Sequence, residues 1–170
     1  MSPRRAWRTR HRVRHRLVAP LAVVAVATTA CGGTQITDHD LSAEDESACA
    51  AFVESLPDTL ADQARGEVDP DDALGAAYGD PAIVVTCGVP EPPELREGAA
   101  CEVVDGVRWY LPDDQFGTEP QDLALTSAWD LPRIEVVVPA AYWPEGGAAV
   151  MASLGPLVEE HLRSQPGECL

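Results

Sequence analysis

Seven arginines, a short apolar run and a small-residue step open this chain. They constrain its folding more than any later feature, because they decide whether its cysteines mature as thiols or as bridges. Arg4, Arg5, Arg8, Arg10, Arg12, Arg14 and Arg16 form a positive head, Leu17 to Ala27 an apolar core, and Thr28-Thr29-Ala30 a step of small residues before Cys31. This is the grammar of an export signal. The apolar stretch contains Pro20 and, even extended to Ala30, has only fourteen residues, against the roughly twenty that a membrane-spanning helix requires. A signal peptide over 1–30, removed on export, is therefore expected.

Cys31-Gly32-Gly33 reads as a bacterial lipobox, in which the thiol is acylated and cleavage falls just before it. Thr28 stands where such sites usually carry Leu or Val. Thr28 and Ala30 also satisfy an ordinary signal-peptidase cut, which would release a soluble protein instead. The expectation is a protein held on the extracytoplasmic face of the cell membrane by lipid on Cys31, with soluble secretion as the alternative.

Loss of the leader sharpens the electrostatics. All 28 acids follow Cys31, and only Arg65, Arg96, Arg108, Arg133 and Arg163 oppose them, so residues 31–170 carry a net charge of −23 and no lysine. Such a surface repels phosphate backbones and anionic headgroups, which excludes nucleic acid as a partner. Residues 31–42 are polar, acidic and without an apolar period, and read as a tether. Residues 43–170 suit a single domain.

Cys49, Cys87, Cys101 and Cys169 form an even set in an exported chain, which implies bridges. Three pairings are open. The one expected joins Cys49 to Cys87, first helix to first strand, and Cys101 to Cys169, pinning the carboxyl terminus to the sheet. No Cys-x-x-Cys pair exists, and His39 and His161 lie near no cysteine in sequence, so no metal or other cofactor is expected.

Ser42, followed by Asp45 and Glu46, predicts a helix start, and Cys49, Phe52, Val53, Leu56, Leu60 and Ala64 recur at helical spacing, with Pro57 expected to end or kink the helix near Leu56. Gly79-Asp80-Pro81 is a turn signal before the apolar run Ala82 to Thr86. Asp105-Gly106 between two β-prone runs predicts a type I′ hairpin over 101–111. Its alternation puts Val104, Val107, Trp109 and Leu111 on one face, and Cys101, Val103, Arg108 and Tyr110 on the other. Leu123 to Trp129 and Arg133 to Val138 read as further strands. Val150, Met151, Leu154, Leu157, Val158 and Leu162 describe an amphipathic helix, with Pro156 a kink point. The fold class is α+β: a mostly antiparallel sheet of four or five strands, covered on one face by an N-terminal and a C-terminal helix.

Cys49 ahead of Leu56-Pro57, the run Tyr78-Gly79-Asp80-Pro81 to Cys87-Gly88-Val89-Pro90, Asp105-Gly106-Val107-Arg108-Trp109 and Ile134 to Pro139 together resemble an actinobacterial "domain of unknown function" family of small secreted lipoproteins. The resemblance implies an envelope location and no particular reaction.

Chemical motifs are sparse. Asp80 between Gly79 and Pro81 reads as a turn aspartate. Asp113-Asp114 and Asp69, Asp71 and Asp72 lack calcium-loop spacing. No serine elbow, phosphate loop or dinucleotide fingerprint is present. Trp109 reads as core. Tyr142 and Trp143, beside Pro144, and Trp129 are the candidates for contact with a ligand or partner. These residues favour a non-enzymatic binding or interaction module of the cell envelope, its partner an unknown envelope protein or ligand. The alternative is an envelope-polymer hydrolase, which would require two carboxylates converging near Trp109 or Trp129.

Overall fold

The computed structural model describes residues 32–96 and 98–167, so Cys31, Cys169 and the expected signal peptide over 1–30 lie outside the described residues. The chain divides into two units, residues 1–30 and 31–170, and every described element belongs to the second.

Helix α1 spans Ala43–Ser55. Ser42 caps it, its Oγ accepting from the Asp45 amide at 3.1 Å, and Glu44, Asp45 and Glu46 place negative charge in the first turn, where the helix dipole favours it. The last turn has no basic residue of its own. Arg65 supplies one from a neighbouring hairpin, donating to the carbonyls of Leu56 at 3.3 Å and Val53 at 3.4 Å. Helix α2 spans Gly146–His161 and contains Pro156. Pro156 and Ala152 both face solvent, so the carbonyl that proline leaves without its helical donor is open to water.

Six strands form one antiparallel sheet: β1 Gly75–Tyr78, β2 Ile83–Val89, β3 Cys101–Val104, β4 Val107–Tyr110, β5 Leu123–Ser127 and β6 Arg133–Val138, in the order β1-β2-β6-β5-β4-β3. The expected four or five strands are thus six. The additional strand is β1, whose Gly-Ala-Ala-Tyr sequence carries little β propensity and which pairs along its whole length with β2. The hairpin β3–β4 has the expected register, Val104 opposite Val107 and Cys101 opposite Tyr110, with φ of 47° at Asp105 and 82° at Gly106. Positive φ at both positions is what a two-residue turn of matching twist demands.

The core lies between the sheet and both helices. Phe52, Ile83, Val85, Trp109, Leu125, Ile134, Val136, Leu154 and Val158 are all buried there. The Cys49–Cys87 disulfide ties α1 to β2 across this layer, as expected, with Cα atoms 5.5 Å apart. Cys101 is disulfide-bonded too; its expected partner, Cys169, lies outside the described residues.

Part of the segment read as a tether is docked. Thr34–Gln35 pairs with Val68–Asp69, Ile36 is buried, Leu41 packs against the core, and Asp38 accepts from the Leu74 amide at 2.9 Å. Among the described residues no helix is long and apolar enough to cross a membrane.

Candidate functional site: a groove on the helix-free face of the sheet

The sheet face opposite the helices is only partly covered, and one glycine decides how. Along β2, Ile83, Val85 and Cys87 point to the core, and strict alternation would send Val89 after them. The pairing with β6 slips instead: Ile134 faces Cys87 while Arg133 faces Val89, which leaves Gly88 as the extra residue of a β-bulge. Gly88 has φ +85°, a conformation that glycine takes without strain. The bulge turns Val89 to the other face and sends the next stretch of chain, Pro90 to Arg96, across it.

There the chain makes one wall of a groove with a volume of about 330 Å³. Its floor is a row across three paired strands, Tyr110 beside Thr126 beside Glu135, with Ala124 next to it; Val89, Pro90, Pro92 and Pro112 line the sides, and His39 reaches in from the docked segment. A second cavity of about 510 Å³ shares Glu94, Tyr110 and Pro112 with the first and continues toward Asp113 and Asp114. Beyond it, Ala99, Tyr110 and Ala128 make a small buried cluster on which Leu95 and Trp129 pack, fixing the crossing segment to the sheet.

The groove has apolar sides, a floor that includes the Glu135 carboxylate, and Glu91 and Glu94 at its edge. Arg133 sits beside it but is committed: its Nε donates to the Ala128 carbonyl at 3.0 Å, and its guanidinium pairs with Glu91 at 2.5 Å. Glu94 and Glu135 have no described ion pair and share the groove lining with His39. Arg96 lies 3.7 Å from Asp113, in an exposed pair. Burial pushes the Tyr110 phenol up from its ordinary pKa, and the carboxylates of Glu94 and Asp113 push it further, with Arg96 offsetting part.

The residues singled out from the sequence stand elsewhere. Tyr142 donates its hydroxyl to the Pro81 carbonyl at 2.6 Å, latching the turn after β6 to the turn before β2. Trp143 is half-buried beside Leu123, Val138 and Pro139, where the packing leaves no cavity. Trp129 lies under the Arg108 guanidinium, 5.3 Å from ring centroid to Cζ. None of the three lines the groove. Trp109 is wholly buried, as its alternation predicts. Asp130, next to Trp129, is buried and titrates above the ordinary aspartate range, chiefly through loss of water, with Ser164 and Arg108 opposing that shift and Glu159 adding to it. It too lies outside the groove. Among the described residues no three His, Cys, Asp or Glu side chains converge to hold a metal ion.

A family model described as "Protein of unknown function (DUF3515)" matches residues 15–167. The chain belongs to this family. No curated protein and no solved structure matches it. Within this DUF3515 chain the Cys87-Gly88-Val89-Pro90 segment is the piece that bulges, re-aims Val89 and opens the groove wall. Tyr110 was placeable on the outward face from the hairpin's alternation alone. Its neighbours Thr126 and Glu135 were not, because their row depends on how distant strands pair.

Proposed function

We propose that this DUF3515 protein is exported, is held by lipid on Cys31 at the extracytoplasmic face of the cell membrane, and serves there as a non-enzymatic binding module whose docking face is the groove around Tyr110. The observation that carries the reading is the groove itself: a concave, largely apolar surface with a few polar groups at its edge, the usual make-up of a binding site. The Cys49–Cys87 bridge agrees with an oxidising compartment, where such bonds persist. The leader and Cys31-Gly32-Gly33 supply the address.

Two measurements test it in producing cells. Cys31→Ala moves the mature protein from the detergent phase to the aqueous phase on partitioning; unchanged partitioning refutes the anchor. A photo-crosslinking residue at Ala124, in the groove, forms a discrete adduct on intact cells, while the same residue at Ser153, on the solvent side of α2, forms none. Equal labelling at both positions refutes the groove as the docking face.

A further inference from the structure

The groove's charge narrows its ligand. We propose that the trough running from Val89 past Tyr110 to Asp114 binds an extended peptide segment bearing lysine or arginine, its apolar side chains against the Val89 and proline walls and its cations toward Glu94, Glu135 and Asp114; this rests on the groove being the docking face.

Four observations favour that occupant. Of the arginines near the trough, Arg133 pairs with Glu91 and Arg96 lies 3.7 Å from Asp113 in an exposed pair, while Glu94, Glu135 and Asp114 line it without a described ion pair and His39 is the other basic side chain in the lining. A cation entering there meets the half-buried Glu135 together with the exposed Glu94 and Asp114, and a concave wall lined by one sign of charge concentrates the attraction. The two cavities, of about 330 and 510 Å³, meet at Tyr110, so the trough has room for several side chains in succession rather than one. Its apolar surface of Val89, Ala124 and prolines offers a slender polyamine little to bind, but suits the aliphatic stems and neighbouring apolar residues of a peptide. The net charge of −23 on residues 31–170 steers cations toward this surface and turns anionic lipid or phosphate away.

The test uses full-length protein extracted in neutral detergent from producing membranes, and fluorescein-labelled peptides of three Lys-Val repeats and three Glu-Val repeats. Fluorescence anisotropy shows saturable binding of the Lys-Val peptide and at least about tenfold weaker binding of the Glu-Val peptide. Glu94→Gln with Glu135→Gln weakens the Lys-Val peptide about tenfold, whereas Glu145→Gln with Glu160→Gln, which removes the same charge from the two ends of α2, leaves it unchanged; matching melting temperatures establish that both variants fold. Equal loss in the two variants reduces the effect to general polyanion attraction and overturns the proposal. Displacement by spermidine as effective as by unlabelled peptide overturns it as well. If the Lys-Val peptide fails to bind while the Ala124 adduct forms on cells, the ligand class falls and the docking face stands.

Discussion

Asp130 spends its buried position on a charge that the fold does not fully repay. Its Oδ2 has no hydrogen-bond partner, and loss of water is the largest influence on its carboxyl, which titrates above 3.8. An acid whose folded pKa is raised binds its proton more readily folded than unfolded. Below the ordinary value of 3.8 both states are protonated and the residue costs nothing. As pH climbs from there to the raised folded pKa, the penalty grows, and above that it is constant. Asp130→Asn keeps the shape and removes the charge, so the melting temperature at pH 7 rises by about 2–4 °C and the gain vanishes near pH 3. Thermal melts across that range check it; a lower melting temperature at pH 7 means the attraction of Arg108 outweighs the lost hydration. Gly88 works in the opposite sense. A side chain there would have to adopt φ +85° with its Cβ 2.6 Å from the Leu41 Cδ1, and the bulge that faces Val89 into the groove depends on the glycine.

Among the elements, α1 is the one whose attachment is most concentrated. Its inward face buries Cys49 and Phe52, its carboxyl end is covered by Arg65, and Cys49–Cys87 closes a sequence separation of 38 residues. By loop entropy alone that bridge stabilises the fold by about 4 kcal/mol. The double variant Cys49→Ala with Cys87→Ala therefore loses about 3–4 kcal/mol in denaturant unfolding, with α1 the first element to lose amide-exchange protection. A loss below about 1 kcal/mol would mean that the apolar face of α1 holds it without the bridge. This helix was legible before the structure, since Ser42, the periodic apolar residues and Pro57 are local signals that agree. The hairpin over 101–111 was legible for the same reason, and so was β6 between two prolines. β1 was not, because Gly75-Ala76-Ala77-Tyr78 becomes a strand only through its partner β2. The groove was hidden more deeply: its floor joins Tyr110, Thr126 and Glu135 from three strands, and its wall follows from a register slip that no local pattern announces. Tyr142 drew attention as an aromatic beside a proline, and the structure uses its hydroxyl as a latch.

At the scale of the whole molecule, charge and architecture pull against each other. Residues 31–170 carry 28 acids against five arginines, and the described ion pairs use those arginines locally: Arg133 for Glu91, Arg163 for Glu44 and Asp45, Arg96 for Asp113. Most of the carboxylates therefore repel one another across the surface, a cost that exists only while the chain is compact. Exposed charges are screened over about 10 Å at 0.1 M salt, whereas the core between sheet and helices owes little to charge. Raising sodium chloride from about 10 mM to 150 mM should consequently raise the melting temperature of a chain comprising residues 31–170, with most of the gain below about 0.1 M, where the screening length shortens to the spacing of neighbouring acids. Sodium and potassium chloride should act alike, because screening depends on ionic strength and not on the identity of the cation. A melting temperature that falls with salt would show that the few ion pairs, above all those of Arg163 and Arg133, outweigh the surplus of negative charge, and that the acidity is held in a network rather than spread over the surface.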